Sequence, residues 1–317
     1  MAAYLVTGGA GFIGSHLVEA LVDRGETVRV VDSLVAGNRD NLSQVKGVDL
    51  VVGDLVDPTV TDEVVKGIDY VVHLAAIPSV PGSIADPLAS NEANVSGTLA
   101  LLSAAMRHNI RRVVFASSSA IYGNASTIPI REDVAPDPLS PYALQKLIGE
   151  QYGRLFRELY GLDTVSLRYF NVFGPRQEPS SPYSGVISLF ARCLVTGQRP
   201  SIYGDGEQTR DFSYVENVVA ATLQACTMAE ASGRTINVSC GKPVSLNALL
   251  DLMCRLSGSK LVPRFLEART GEVRHSQADI NLAQALLGYR SLVQLEEGLQ
   301  RTLEWHNAKA SLGVSDK

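Results

Sequence analysis

A tyrosine and a lysine stand four residues apart, at Tyr142 and Lys146, in a segment with a helical pattern. Residues at this spacing share one face of an α-helix. An ammonium group beside a phenol favours the phenolate, so the tyrosine pKa, about 10 in a free peptide, is expected to fall toward the range of a general base. The pair therefore indicates proton abstraction, although a Tyr and a Lys at this spacing are more often an ordinary surface pair.

A run of three serines offers hydroxyl groups for the same chemistry. Ser117, Ser118 and Ser119 follow directly after the apolar, strand-like run 113–116. In folds with a parallel sheet, the carboxyl ends of the strands form the edge where ligands bind. One of these hydroxyls is therefore expected to hydrogen-bond the substrate group that Tyr142 deprotonates. A serine run alone is more typical of a turn, so the two motifs carry weight only together.

A glycine-rich loop lies near the start of the chain. The residues TGGAGFIG, at positions 7–14, follow a strand-like run and open a helix. Glycines let such a loop turn tightly and approach a pyrophosphate, which the unpaired amides of the helix N-terminus bind. Asp32 ends the next strand-like run, where a carboxylate accepts hydrogen bonds from adenosine ribose hydroxyls and repels a 2′-phosphate. The combination favours NAD over NADP, although Asn38 and Arg39 lie close to Asp32 in sequence.

The segment that carries the Tyr–Lys pair contains start and stop signals for a helix. Ser140 is a suitable N-cap, and Pro141 fits the first helical turn. Gly161 can end the helix directly after Tyr160. These signals predict one long helix that presents Tyr142 in its first turn.

Short apolar, β-branched runs alternate with longer helical patterns through the first half of the chain. These runs lie at 4–7, 28–31, 50–52, 70–73, 113–116 and 164–167. Runs that are apolar on both faces and separated by helices predict a parallel sheet covered on both sides. The predicted fold class is therefore α/β, a doubly wound parallel sheet of the Rossmann type.

The pattern changes after Asn171, where prolines and glycines break the chain. Helical patterns follow at 186–195, 246–256 and 295–305. A strand-like run at 235–239 indicates that the chain returns to the sheet.

Two regions of different function are predicted from these changes. Residues 1–170 form an NAD-binding domain, with a return of the chain at about 212–240. Residues 171–211 and 241–317 form a smaller lobe that binds the substrate.

Composition excludes several functional classes. The 317 residues carry a net charge of -5, which gives no reason to expect nucleic acid or an anionic membrane as partner. The four cysteines lie far apart without a CxxC pair, which indicates free thiols in a reducing compartment. The chain shows neither a signal-peptide pattern nor the roughly 18 apolar residues that a membrane helix needs. We therefore expect a cytoplasmic protein without a metal site.

TGGAGFIG, Asp32, the run SSSAIYG and the YxxxK pair together resemble the extended short-chain dehydrogenase/reductase family, in its nucleotide-sugar epimerase branch. The resemblance extends from Tyr4 to about Glu304. It implies bound NAD and epimerisation of a UDP-hexose, UDP-glucose or UDP-galactose, at C4 through a transient 4-keto sugar. It also implies a homodimer, in which the YxxxK helix and the preceding helix at 91–108 form a four-helix bundle with their symmetry mates.

The resemblance assigns roles in the cofactor half of the site. Counting back from the YG of SSSAIYG places the catalytic hydroxyl at Ser118, with Ser119 as the alternative if a one-residue gap intervenes. Tyr142 is then the base, and Lys146 binds the nicotinamide ribose. His73 is predicted to be a packed strand residue rather than an acid or base. The implied cofactor contacts are Gly8, Gly11, Phe12, Ile13, Gly14, Asp32, Asn38, Asp54, Leu55, Ala75, Ala76, Asn94, Ser117, Tyr142, Lys146 and Tyr169.

The resemblance also assigns the nucleotide-sugar half. The implied substrate contacts are Ser79, Ser118, Asn171, Gly185, Val186, Tyr203, Arg210, Arg269, Glu272 and Ser276. Arg210 and Arg269 are similar to family arginines that clamp the diphosphate, a role that suits the planar guanidinium group, although each could instead pair with a carboxylate. Ser276 matches a position beside the C2 substituent of the sugar. A small residue there leaves room for an N-acetyl group, which implies UDP-GlcNAc and UDP-GalNAc as further substrates.

Related activities begin with the same C4 oxidation. Dehydratases of this family carry an Asp-Glu pair just after the catalytic hydroxyl and decarboxylases generally keep the Glu, whereas this chain has Ser119 and Ala120. Elimination then lacks its acid and base, which favours epimerisation. A UDP-glucuronate 4-epimerase, a dehydratase or decarboxylase-type enzyme, and a non-catalytic NAD sensor remain as alternatives.

Overall fold

The computed structural model of the protein describes residues 1–178, 185–268 and 273–311. The strands in this part of the chain are β1 (Ala3–Thr7), β2 (Thr27–Asp32), β3 (Val48–Val52), β4 (Tyr70–His73), β5 (Arg112–Ser118), β6 (Thr164–Tyr169), β7 (Asn171–Phe173), β8 (Ser201–Tyr203), β9 (Thr209–Tyr214), β10 (Thr235–Val238), β11 (Pro243–Ser245) and β12 (Arg264–Leu266). The α-helices are α1 (Phe12–Asp23), α2 (Pro58–Val64), α3 (Val80–Ala85), α4 (Pro87–Asn91), α5 (Gly97–Arg107), α6 (Pro141–Tyr160), α7 (Val186–Thr196), α8 (Val215–Thr227), α9 (Leu246–Ser257), α10 (Asn281–Leu287) and α11 (Leu295–Ser311).

Seven of these strands form one parallel sheet, in the order β10-β6-β5-β4-β1-β2-β3. The order reverses between β1 and β4, which places a ligand-binding crevice at the carboxyl ends of those strands. All six apolar runs predicted in the first half of the sequence lie within strands of this sheet. The prediction of a doubly wound parallel sheet is confirmed.

Helices cover both faces of the sheet because successive strand residues point to opposite sides. In β1, Val6 packs on one side with Leu17 of α1, whereas Leu5 packs on the other side with Leu101 of α5. Both β1 residues are completely buried. The two apolar cores fix the strands from both sides, so the carboxyl edge of the sheet is a rigid platform.

Helix α6 begins and ends where its sequence signals predict. The Ser140 hydroxyl accepts a hydrogen bond from the Ala143 amide at 3.2 Å, and Gly161 adopts a left-handed conformation with φ of 74°. A Cβ atom at Gly149 would collide with the Phe115 ring of β5. The missing side chain therefore lets the helix approach the sheet closely, one turn after Lys146.

The predicted helix at 91–108 is interrupted. A π-helical turn at Glu92–Ser96 separates α4 from α5. Such turns fit an extra residue into a helix and often occur at functional sites. Asn94 lies in this turn with 3% of its surface exposed, and its side chain forms hydrogen bonds to Ile77 in the loop after β4.

The rest of the chain builds a smaller lobe beside the carboxyl edge of the sheet. Strands β11, β9 and β7 form a three-stranded sheet, and β12 pairs with β8. Helices α7, α9 and α11 pack against one another. Between these parts the chain returns to the main sheet through β10, which pairs with β6.

No helix within the described residues is long and apolar enough to cross a membrane. In the same residues, no group of three His, Cys, Asp or Glu side chains is placed to hold a metal ion. The four cysteines are free thiols.

Candidate active site

A cleft of about 610 Å³ runs along the carboxyl edge of the main sheet. It has the size and location expected of a ligand site in this fold. The residues predicted for the cofactor that line it are Gly8, Gly11, Phe12, Ile13, Gly14, Asp32, Asp54, Leu55, Ala75, Ala76, Ser117, Tyr142, Lys146 and Tyr169. Of the residues predicted for the substrate, Ser79, Ser118 and Gly185 line it.

The glycine loop between β1 and α1 forms one end of the cleft. Gly8 has φ of 70°, and a Cβ atom there would lie 2.8 Å from the Ala75 amide nitrogen. A Cβ at Gly14 would collide with the Gly8 carbonyl oxygen. No side chain caps α1, and its first turn lacks an acidic residue. Its first amides can therefore bind a pyrophosphate, and the loop fits the dinucleotide that the sequence predicts.

Asp32 stands beside this loop with its carboxylate held in place. Oδ2 accepts a hydrogen bond from the Ala10 amide at 2.9 Å, and Oδ1 accepts one from the Leu34 amide at 2.8 Å. Each oxygen keeps a further lone pair, which suits the two hydroxyls of a ribose. Asp32 is 7% exposed and lines the cleft, so a 2′-phosphate would meet an almost buried negative charge. The site therefore fits NAD.

Tyr142, Lys146 and Ser118 meet at the middle of the cleft. Lys146 Nζ lies 5.9 Å from the centroid of the Tyr142 ring and donates a hydrogen bond to the Ala116 carbonyl at 2.8 Å. The Ser118 hydroxyl interacts with the Tyr142 phenol across the gap between β5 and α6. This arrangement can hold a sugar hydroxyl between a hydrogen-bond partner and a base.

Burial and the neighbouring Ser118 hydroxyl act in opposite directions on the pKa of Tyr142. Burial raises the pKa of Tyr142, and the interaction with Ser118 lowers it. Burial lowers the pKa of Lys146 to about 8, so its ammonium group is largely charged at neutral pH. The phenolate is therefore favoured by Ser118 against the effect of desolvation, and positive charge in the cleft would favour it more.

The structure distinguishes the three serines. Ser117 is buried and donates its hydroxyl hydrogen to Glu150 Oε1. Ser119 is not among the described residues that line the cleft. Ser118 lines the cleft, and its hydroxyl faces Tyr142. The geometry therefore supports Ser118, rather than its alternative Ser119, as the catalytic hydroxyl.

A buried polar network supports these residues from below, and sequence reasoning missed it. Glu150 pairs with Arg168 through two hydrogen bonds of 2.9 and 2.7 Å. Arg168 also donates to the Tyr122 hydroxyl at 2.7 Å, which in turn donates to Asn237. Ser117 completes the network through Glu150, so β5, α6, β6 and β10 are joined. In the sequence, the position of Glu150 one helical turn after Lys146 could have indicated this network.

Asn94 positions the cleft wall. Its side chain accepts a hydrogen bond from the Ile77 amide at 2.7 Å and donates to Gln145 at 2.8 Å and to the Ile77 carbonyl at 3.2 Å. It does not line the cleft within the described residues, and these bonds hold the loop at 75–79 against α6. The direct cofactor contact of Asn94 stays a prediction. Asn38, also predicted to contact the cofactor, caps a short helical turn by accepting from the Asp40 amide.

His73 is a packed strand residue, as predicted. Its ring bonds to Thr7 at 2.7 Å and to Thr98 at 2.9 Å. Burial lowers the His73 pKa to about 3, so the ring stays neutral. The Thr7 hydroxyl also accepts from the Ala75 amide, which ties the two loops of the cleft together.

Other residues predicted for the substrate lie outside the cleft lining that the described residues form. They are Asn171, Val186, Tyr203, Arg210 and Ser276. The predicted residues Arg269 and Glu272 lie outside the described residues.

Three of the residues outside the lining nevertheless meet around β9. The Asn171 side chain donates to the Asp211 carbonyl, and the Ser276 amide donates to the Thr209 carbonyl at 3.1 Å. Arg210 lies between Thr209 and Asp211 on this strand, half-buried. The structure therefore brings Asn171, Arg210 and Ser276 together at one side of the smaller lobe.

Strand β9 is anchored by a buried carboxylate. Asp211 is completely buried and accepts hydrogen bonds from the amides of Cys240, Gly241 and Ala278 at 3.2, 2.9 and 3.0 Å. Burial raises the Asp211 pKa, against the lowering effect of these bonds. The side chain joins three separate stretches of chain at the base of the smaller lobe.

Gln177 and Glu178 are among the cleft residues that were not predicted as site residues. Gln177 donates to the Val172 carbonyl at 3.0 Å, and Glu178 pairs with Lys309 of α11 at 2.8 Å. Sequence reasoning could not find the second contact because Lys309 is more than a hundred residues away. The contact attaches the end of the chain to the wall of the cleft.

Comparison with known proteins gives concordant matches. A model of the NAD dependent epimerase/dehydratase family matches residues 4–239. A UDP-glucose 4-epimerase from Mycolicibacterium smegmatis is 37% identical over 311 residues, 96% of this chain and 99% of the relative. A UDP-glucuronate 4-epimerase from Thermodesulfobacterium geofontis is 34% identical over 330 residues, 100% of both. The solved structure of UDP-N-acetylglucosamine 4-epimerase from Methanobrevibacter ruminantium, in complex with UDP-N-acetylmuramic acid, matches with a TM-score of 0.93 and 40% identity, over 97% of this chain and 99% of that chain.

Proposed function

Because the chain belongs to the NAD dependent epimerase/dehydratase family, we propose that it interconverts UDP-glucose with UDP-galactose, and UDP-GlcNAc with UDP-GalNAc, by epimerisation at C4. The enzyme is an isomerase of the UDP-sugar 4-epimerase class, and its cofactor is NAD. The observation that carries the proposal is the meeting of Tyr142, Ser118 and Lys146 beside a cleft that fits the dinucleotide.

The residues divide the chemistry between them. Tyr142 takes the proton from the sugar 4-hydroxyl and later returns it, while Ser118 holds the same oxygen in place. Lys146 keeps a positive charge close to the phenol. The glycine loop and Asp32 would hold NAD, which would supply the acceptor for the C4 hydride and its return to the opposite face of the ketone. Nothing is consumed in this cycle, so the site must retain both cofactor and ketone between the two steps.

The acidic residues in the cleft support epimerisation over elimination. Asp32, Asp54 and Glu178 are the carboxylates among the described residues that line it. Asp32 belongs to the nucleotide end, and Glu178 is paired with Lys309. Directly after Ser118 the chain has Ser119 and Ala120. A dehydratase or decarboxylase step would need a positioned proton donor that these two residues cannot supply.

The proposal that sugars with and without an N-acetyl group at C2 are both substrates rests on Ser276. Its backbone is fixed to β9 beside Arg210, and its side chain is small. We propose that the space left by this serine accepts the N-acetyl group on C2 of the sugar. The same small residue also admits the plain hydroxyl of UDP-glucose.

A side-by-side assay of the purified enzyme tests the proposed function. UDP-glucose, UDP-galactose, UDP-GlcNAc, UDP-GalNAc and UDP-glucuronate are each incubated without added NAD, and both epimerisation and the absorbance of bound NADH are followed. Turnover of the first four sugars is expected. Turnover of UDP-glucuronate alone would assign the enzyme to that substrate, and a cofactor that no sugar reduces would indicate a sensor.

We also propose that the enzyme is a homodimer. Apolar side chains line the outer side of α6 and its neighbours without cover from the rest of the described chain: Leu144 is 47% exposed, Leu159 66% and Leu88 of α4 83%. A second copy of the same surface would cover them. Sedimentation at micromolar concentration should give a dimer, and replacement of Leu144 by Glu should favour the monomer. A wild-type monomer would contradict the proposed dimer.

A further inference from the structure

We propose that Ser83 is a positioning residue for the catalytic base, because its hydroxyl oxygen accepts a hydrogen bond from the backbone amide of Tyr142 at 3.1 Å. The inference rests on the proposed role of Tyr142 in epimerisation. Ser83 lies in the short helix α3 and is completely buried. Its own hydroxyl hydrogen goes to the Val80 carbonyl at 2.7 Å, which aims the oxygen lone pairs outward from α3.

The start of α6 shows why this contact is needed. The first amides of any α-helix lack partners within the helix. In α6, Pro141 has no amide hydrogen, and Ser140 accepts from Ala143 through its side chain and from Leu144 through its carbonyl. Tyr142 is the remaining member of the first turn. Its amide finds an acceptor on another helix, so Ser83 completes the cap of the catalytic helix.

The contact also joins two walls of the site. Ser79 caps the N-terminus of α3, accepting from the Gly82 amide at 2.9 Å, and lines the cleft where the sugar is predicted to lie. Ser83 lies one turn further along the same short helix. The wall beside the sugar and the backbone of the base are therefore connected by a single helical turn. A shift of this turn would move Tyr142 relative to Ser118.

Loss of the Ser83 hydroxyl would leave the partly buried Tyr142 amide without its acceptor. The backbone can relieve part of this loss by moving. Movement of a base by about 1 Å can reduce turnover about a hundredfold. Ser83→Ala is therefore expected to lower kcat by about tenfold or more.

Thr164 provides a matched control. Thr164 lies on β6 and is 5% exposed. Its hydroxyl donates to the Gly153 carbonyl of α6 at 3.0 Å, about three turns from Tyr142. Thr164→Val removes this buried hydroxyl and keeps the shape of the side chain. Both variants thus lose one buried hydrogen bond to the backbone of α6, but only Ser83→Ala loses the bond to the base.

The experiment compares wild type, Ser83→Ala and Thr164→Val by kcat, KM, melting temperature and bound NAD. A fall in kcat for Ser83→Ala, with KM within about threefold of wild type and Thr164→Val near wild type, is the expected result. The ascending limb of kcat against pH should also move to higher pH in Ser83→Ala, because Tyr142 loses its alignment with Ser118. Equal losses in both variants, or a rise in KM without a fall in kcat, would overturn the inference.

Amide hydrogen exchange gives a second test that does not depend on activity. The Tyr142 amide is expected to be protected to the same degree as that of Ala143, and the protection should be lost in Ser83→Ala. Rapid exchange of the Tyr142 amide in wild type would show that the bond is not formed. If Tyr142→Phe retains full activity, the proposed function fails instead, and the exchange result still decides whether Ser83 holds the Tyr142 backbone.

Discussion

The cofactor half and the sugar half of the predicted site are built in different ways. In the cofactor half, functional groups lie on strands and helices of the main sheet and are held by buried contacts, such as Glu150 with Arg168 and Asn94 with Ile77. In the sugar half, Arg210 lies on β9 of the three-stranded sheet and Ser276 lies in a connecting segment. Both residues are partly exposed and lie outside the cleft lining that the described residues form. The first half is suited to fixing reacting atoms, and the second to adapting to the shape of a substrate.

This difference predicts which kinetic constant each half controls. Displacement of a residue in the rigid half affects the transition state and lowers kcat. Changes in the sugar half affect binding and the choice between sugars, so they act on KM and specificity. Four substitutions test this division, in order of expected effect.

Tyr142→Phe should have the largest effect. It removes the proton acceptor and keeps the ring, so kcat should fall by a factor on the order of a hundred or more. Bound NAD and the melting temperature should stay close to wild type. Turnover that survives undiminished in this variant would reject Tyr142 as the base.

Ser118→Ala should lower kcat by roughly ten- to hundredfold and change its pH dependence. The interaction with Ser118 lowers the Tyr142 pKa, so its loss raises that pKa. The ascending limb of kcat against pH should therefore move to higher pH. Ser119→Ala is the control and should leave the profile in place; the reverse outcome would assign the catalytic hydroxyl to Ser119.

Arg210→Ala should act on binding. Loss of a hydrogen bond to a charged group costs roughly 1.5–3 kcal/mol, so KM for the UDP-sugar should rise about tenfold or more while kcat changes little. Arg274 is the matched control, because its side chain pairs with Asp205 at 2.8 Å on the same lobe. Arg274→Ala should leave KM unchanged, and an unchanged KM in Arg210→Ala would place the diphosphate elsewhere.

Ser276→Tyr should have the smallest and most selective effect. A large side chain at this position should fill the space for the N-acetyl group, and overpacking costs about 1–3 kcal/mol. Activity on UDP-GlcNAc should fall about tenfold, with activity on UDP-glucose within about threefold of wild type. Ser276→Ala should retain both activities. A parallel loss for both sugars would reject the selective role of this position.

The rigid half was also the easier half to predict from sequence. Its apolar runs, its glycine loop and the ends of α6 are local signals, and all of them are found in the structure. Local signals could not reveal how buried polar side chains pair across the sheet. Glu150 and Arg168 lie on different elements, and the π-helical turn at Glu92–Ser96 depends on a contact between Asn94 and a distant loop.

The sugar half was harder to predict for the same physical reason. Its strands are three residues long in several places, too short for a clear pattern of alternation. Their pairing depends on contacts such as that of Asp211 with Ala278, which no sequence spacing indicates. Family resemblance supplied Asn171, Arg210 and Ser276, and the structure places them around one strand.

In strand β9, the buried Asp211 determines which side of the strand its neighbour Arg210 faces. Side chains alternate along a strand, so a slip of β9 by one residue would bring the Arg210 guanidinium to the interior position and turn the Asp211 carboxylate outward. Three amides would then lose their acceptor, and a charge would be buried without a partner of opposite sign. The shifted register of β9 is therefore much higher in free energy than the native register. Asp211, which has no part in the proposed chemistry, therefore keeps the Arg210 side chain on its native side of β9.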